Sequence, residues 1–360
     1  MKNILCIGKY NGIIGGIERY MQKSAELLRN NDFAVHYLYS EKGGKEQDSF
    51  AGAFDTIAEF SPENELLLSA DMVIVHNIIP PDLLKNLPAD KTFFFAHDHN
   101  IYCQRHHYYT PVGRINCHRK YSKFICKLCS LGRNEAPPLA EYRKFPALVL
   151  SDFMAENLRK NGFQKVIKLP AFMQCVTRKS AFMPNGVLRI LFLGQLIRGK
   201  GADLMLKTLA KLDIPFECTI AGDGKDRTML EAMTQKYHMQ DKINFTGFVS
   251  EPDKLWENCD LFFFPVRWQE PFGLVGLEAM AHGVPVIAFD LVGVREYISP
   301  NCGILIPEKD ISSAAKAIRQ LFSQPEKLME MGKNGAMTVK NNFSNEIFVE
   351  KFKELCEVLK

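Results

Sequence analysis

Short apolar runs alternate with amphipathic stretches along almost the whole chain, and that alternation predicts a parallel α/β protein. Residues 3–7, 34–39, 72–75 and 91–95 are brief and mostly apolar, as strands covered on both faces of a parallel sheet are. Between the first two, 18–29 places Tyr20, Met21, Ala25, Leu27 and Leu28 at helical spacing. A strand at 147–150 leads to a helix at 151–161, with Ser151 as N-cap and Gly162 at the position that favours a left-handed residue. After a strand at 166–169, periodicity stops over 171–187, which contains Pro184-Asn185-Gly186, and a domain boundary is expected there. The pattern then starts again. Strands are expected at 188–193, 219–222, 243–248, 261–265 and 284–289, and 343–359 is a last amphipathic helix. The predicted domains are 1–170, 171–342 and a terminal helix 343–360 that returns to the first.

Composition changes this picture little. The 360 residues suffice for two domains, and 46% hydrophobic with 24% charged residues is ordinary for a globular chain. A net charge of +4 does not argue for a nucleic-acid partner. The first apolar run stops at Gly8 and reads as a strand rather than a leader, and no stretch approaches the ~20 residues that span a bilayer. A cytoplasmic protein is expected, in which ten cysteines stay as thiols or metal ligands.

Candidate chemistry concentrates in 270–289, EPFGLVGLEAMAHGVPVIAF. Glu270 sits in a loop before Pro271. Phe272, Gly273 and Leu274 bring in a helix, Glu278 lies about one and a half turns along it, and Gly283 ends it before a buried strand. A glycine that lets a ligand approach, followed by free N–H groups at a helix start, makes an anion cradle. The two acids either hold different parts of one ligand, or Glu278 is a solvated residue of an ordinary loop–helix–strand unit. A second cluster, GQLIRGKGADLML, offers Arg198 and Lys200 between glycines. Gly15-Gly16 follows the first strand, and His97 follows the strand at 91–95, with His99 as its alternative.

These motifs together resemble the retaining glycosyltransferases of family 4. E-P-F-G-L-x3-E-A-M-A-x-G-x-P-V is nearly complete here, Gly15-Gly16-Ile17-Glu18 is similar to their G-G-x-E loop, and Lys200 matches their phosphate-binding lysine. The resemblance runs over nearly the whole chain, strongest over 188–296. It implies a GT-B fold, two Rossmann-like parallel-sheet domains facing a central donor cleft. It also implies transfer of a sugar from a UDP- or GDP-sugar to a glycan or lipid-linked acceptor with retention, in cell-surface polysaccharide assembly. By the same resemblance Lys200, Arg198, Gly16 and the amides of 272–274 meet the diphosphate. Glu278 holds the ribose, Phe248 lies by the nucleobase, and Glu270 and His97 serve the sugar. No catalytic cofactor is implied. Gln195 stands where the family often has arginine. A nucleotide-sugar epimerase of the same fold and a non-catalytic nucleotide-sugar-binding subunit are the alternatives.

The resemblance is weakest over the segment about 101–142. From 100 to 145 it has nine lysines and arginines against Glu135 and Glu141. Cys126-x2-Cys129 has metal-knuckle spacing, and Cys103 and Cys117 complete a candidate four-thiolate structural zinc site, with His106, His107 or His118 able to replace one thiolate. Free thiols are the other reading. Tyr102, Tyr108, Tyr109, Tyr121 and Phe124 with the basic residues suit a surface that meets anionic lipid head groups, and the segment is expected to lack its own core. Peripheral contact with the inner face of the membrane follows from that reading.

Overall fold

The computed structural model describes residues 1–111, 115–131, 135–178 and 182–357. It divides into two compact units, Met1–Ala171 with Asn345–Lys360, and Phe172–Ser344. Each is built on an all-parallel sheet.

In the first unit seven strands lie in the order β3-β2-β1-β4-β5-β6-β7. They are β1 (Lys2–Tyr10), β2 (Phe33–Glu41), β3 (Thr56–Glu59), β4 (Met72–His76), β5 (Thr92–Phe95), β6 (Ala147–Val149) and β7 (Val166–Lys168). The central ones are apolar on both faces because helices cover both, which is why β4 reads MVIVH without alternation. The helix Gly16–Arg29 turns Tyr20, Met21, Ala25 and Leu28 inward. The helix Asp152–Lys160 starts where the hydroxyl of Ser151 accepts the N–H of Met154, as expected of that N-cap. Gly162, at φ +91°, closes its end. The terminal helix Asn345–Glu357 belongs to this unit: Phe352 meets Phe33 edge to face at 5.5 Å, and Lys2 Nζ donates to the carbonyl of Cys356 at 2.8 Å.

The second unit has six strands in the order β10-β9-β8-β11-β12-β13. They are β8 (Leu188–Leu193), β9 (Phe216–Ala221), β10 (Ile243–Gly247), β11 (Leu261–Phe264), β12 (Val286–Phe289) and β13 (Gly303–Ile306). Asp260, completely buried before β11, accepts bonds from the backbone and guanidinium of Arg189 and from Arg178. That pairing satisfies a carboxylate that would otherwise be costly to enclose. β3 and β13, at or beside sheet edges, were not expected from the sequence. Both are four residues long, too short to stand out; β3 reads TIAE, and the apolar Ile304–Leu305–Ile306 of β13 stops at Pro307.

The strand order matters for the site. Each sheet runs outward in both directions from its first strand, so neighbouring connections leave from opposite sides at β1/β4 and at β8/β11. Loops at the carboxyl ends of those strand pairs open a crevice in which α/β proteins hold ligands.

Candidate functional site

In the second unit, the loops after β8 and β11 bring Lys200 and Glu270 together. Lys200 Nζ lies 3.2 and 3.0 Å from the two carboxylate oxygens of Glu270, and both side chains are largely enclosed. The short 3-10 turn Arg198–Lys200 is tied down from below. Arg267 forms a two-armed ion pair with Asp203 and also donates to the carbonyl of Arg198, and its N–H donates to the carbonyl of Gly199. Burial pushes the carboxyl of Asp203 up, but the Arg267 guanidinium more than offsets this and the net shift is downward. Gly199 is obligatory by packing: a Cβ there would stand 1.8 Å from the ring of Trp268. That indole donates to Glu270 Oε2 at 3.4 Å and lies beneath Lys200 Nζ, 5.7 Å from the ring centre. Arg267, Trp268 and Asp203 were missed from sequence. Trp268, one of two tryptophans, two residues before Glu270, was the signal available.

Gly273, at φ +86°, turns the chain into the helix Leu274–Ala281. The buried hydroxyl of Tyr297 donates to the Gly273 carbonyl at 2.8 Å, and the ring of Phe272 packs on Tyr297 at 5.2 Å. The start of this helix is therefore held rigidly, with Glu270 beside it. Glu278 is half-buried on the helix, and its carbonyl, near the helix end, accepts from His282. Gly283 has the left-handed conformation expected of it, at φ +67°. Arg198 is exposed beside Lys200, and Phe248 is half exposed just after β10, at the far edge of the sheet.

The remaining candidates lie in the first unit. Gly16 opens the helix Gly16–Arg29, where the Glu18 carboxylate accepts the N–H of Gly15 at 2.9 Å, and burial raises the carboxyl of Glu18. His97 follows β5 and stacks on Phe95 at 4.2 Å, with Tyr20 edge-on at 5.3 Å. Its Nε2 lies 2.8 Å from Nδ1 of His76, the last residue of β4. His76 is enclosed and its other nitrogen, Nε2, has no partner. A buried N–H without an acceptor is rarer and costlier than a bare lone pair, so the His76 hydrogen belongs on Nδ1, donating to His97. His97 then carries its own hydrogen on Nδ1, free to donate to a ligand. Burial drives both imidazoles down, His76 to about 3, so both are neutral at physiological pH. Asp98 is pushed up to about 6 by burial, opposed by its bond from Asn100. His99, the alternative to His97, is buried, and its Nδ1 lies 2.6 Å from the hydroxyl of Tyr102.

The 101–142 segment corrects one expectation. Tyr102 and Tyr108 form no surface; both are buried, in a small aromatic cluster with His99 before the segment and Phe153 after it. None of Cys103, Cys117, Cys126 and Cys129 is in a disulfide, and among the described residues the side chains as they stand form no ready group of three or more metal ligands. The thiols are nonetheless neighbours. Cys103 and Cys129 are each in electrostatic reach of both Cys117 and Cys126. The Cys103 sulfur accepts backbone N–H from Arg105 and Tyr108, and Cys126 Sγ accepts that of Ser122 at 3.4 Å.

Against known proteins, the sequence match lies in the second unit. Residues 176–338 match the family described as Glycosyl transferases group 1. Among curated relatives, an alpha-D-kanosaminyltransferase of Streptomyces kanamyceticus is 30% identical over 155 residues, 41% of this chain and 39% of that one. A D-inositol 3-phosphate glycosyltransferase of Pseudarthrobacter chlorophenolicus is 30% identical over 202 residues, 53% and 48% of the two chains. The matched stretch covers 19% to 60% of the length of the first curated relatives. Likeness of fold extends over the whole chain. A sucrose-phosphate synthase from Thermosynechococcus elongatus superposes with a TM-score of 0.78 at 18% identity, covering 100% of this chain and 99% of that one. Anabaena HepE, in complex with UDP and glucose, gives 0.77 at 14% identity, with coverage of 99% and 100%. The fold is thus GT-B, two Rossmann-like parallel-sheet domains, as the sequence resemblance implied.

Proposed function

We propose that this chain is a retaining glycosyltransferase that moves a sugar from a nucleoside diphosphate donor, a UDP- or GDP-sugar, to an acceptor hydroxyl in polysaccharide assembly. The observation that carries this reading is the Lys200–Glu270 pair, set where loops after β8 and β11 meet at the start of the helix Leu274–Ala281. That position joins a cation, a helix N-terminus and an orienting acid, which are the groups that a departing diphosphate and its sugar need. Lys200, with Arg198 and the amides of 272–274, takes the diphosphate, and Glu278 takes the ribose. Glu270, released from the lysine when phosphate replaces it, orients the sugar. Phe248 is assigned to the base, and Gly16 and His97 to the donor, on the family resemblance. In the reaction the C1–O bond to the β-phosphate breaks and a bond from the acceptor oxygen to C1 forms on the same face. The acceptor proton passes to a diphosphate oxygen, and the nucleoside diphosphate leaves.

The test is thermal unfolding with UDP, GDP and ADP. A ligand at ~100 times its dissociation constant stabilises by about 2.7 kcal/mol. One uracil or guanine nucleotide should shift the wild type, and Lys200→Ala should lose the shift while Lys200→Arg keeps part of it. A shift undiminished in Lys200→Ala would overturn the phosphate assignment.

For the 101–142 segment we propose that Cys103, Cys117, Cys126 and Cys129 hold a structural zinc. The support is their mutual proximity and the backbone N–H donors aimed at the sulfurs of Cys103 and Cys126. An arriving ion would have to draw the four side chains in and displace their protons, since burial raises the Cys103 and Cys129 thiols.

A further inference from the structure

The helix Lys123–Cys129 has no buried residue. Phe124 is 79% exposed, Leu128 69%, Leu131 62%, Ile115 60% and Ile125 45%, which makes five of the thirteen exposed large hydrophobic residues among the described ones. All five fall within seventeen residues, so chance scatter does not account for them. Phe124 and Leu128, four residues apart, lie on one side of the helix, and Leu131 follows just past its C-cap Ser130.

This face is not left outside for want of a core. Tyr102 and Tyr108 of the same segment are buried, and the chain on either side of the helix is pinned by hydrogen bonds. Tyr121 N–H donates to Asn161 Oδ1 at 2.8 Å, the Tyr108 hydroxyl to the carbonyl of Arg119 at 2.7 Å, and Arg105 to the carbonyl of Cys129 at 3.4 Å. The hydroxyl of Ser122 caps the helix by accepting the N–H of Ile125. Cys126 and Cys129 are part-buried on another side, towards the remaining thiols. One side of the helix is anchored and the apolar side is presented.

Charge identifies the occupant. Residues 115–131 contain Arg119, Lys120, Lys123 and Lys127, all exposed, and no acid. An apolar ridge edged only by cations complements an apolar layer beneath a negative surface, and seven helical residues are far too few to cross a bilayer. No helix among the described residues is long and apolar enough to do so. We infer that the Phe124–Leu128–Leu131 ridge and its flanking lysines seat this chain flat in the interface of an anionic phospholipid membrane. The inference rests on no part of the donor-site reading.

The experiment is co-sedimentation of the full chain with vesicles of phosphatidylcholine alone, or with phosphatidylglycerol added. Wild type should bind the mixed vesicles and be released by added salt. Phe124→Ser with Leu128→Ser, both at exposed positions, should keep the wild-type Tm and bind about tenfold more weakly or worse. Lys123→Glu with Lys127→Glu should weaken binding to the mixed vesicles alone. Equal binding by wild type and the serine variant would overturn the proposal, as would equal affinity for both vesicle types. So would a wild-type dimer in light scattering that becomes monomeric in the serine variant, since a second copy would then cover the ridge.

Discussion

His76 and His97 form a hydrogen-bonded pair of neutral imidazoles, and their effect on stability can be worked out by proton count. Both folded-state values lie below the ordinary 6.5, so below that pH the unfolded chain takes up two protons that the folded chain refuses. Asp98 works the other way: held up at about 6, it takes a proton in the folded state first as pH falls. Two against one leaves a net proton on the unfolded side, so these groups should lower stability as pH falls from roughly 6 to 4. In His76→Phe the counts balance and their contribution should be nearly flat. Urea unfolding of both proteins at several pH values in that window checks this; parallel slopes would mean that His76 titrates normally. His97 could be named from its place after a strand, but His76 could not. It reads as the last residue of an apolar run, and only the pairing of β4 with β5 puts its ring beside that of His97.

Among the elements, those with long periodicity or a specific cap were legible. Ser151, Gly162, Gly273 and Gly283 each do locally what the sequence suggested, because capping is chemistry within a few residues. What could not be read was set by contact across the sheet: the stacking of Trp268 against Gly199, and the Arg267–Asp203 clamp, join residues about sixty to seventy positions apart. The 101–142 segment fails for the opposite reason. Its tyrosines have no periodicity to say which point inward, and its core is made by pairing with Phe153 and Asn157 from a later helix. The zinc proposal belongs at this scale. Protein grown and purified with zinc present should carry it stoichiometrically, lose it in Cys126→Ser with Cys129→Ser, and fall in Tm on chelation. Metal content near zero in the replete protein would remove the site.

The whole molecule follows from two sheets of one design, each apolar through its middle and each with its switch point at the first strand. The second unit is continuous in sequence, and its core from Leu188 to Met331 is drawn from within it. Residues 172–344 should therefore fold alone, with cooperative thermal unfolding; a non-cooperative melt would show that the unit depends on the rest. The first unit differs, because the chain leaves it at Ala171 and comes back only at Asn345. On a ribosome adding about 5–20 residues per second, the sheet of the first unit is complete roughly 10–35 s before the helix that covers Phe33 has been made. Through that interval the nascent chain displays an uncovered apolar face to every neighbour. Any protein cut short before Asn345 leaves that face displayed for good, so truncation ahead of this helix should turn a folded first sheet into a surface that sticks to its neighbours.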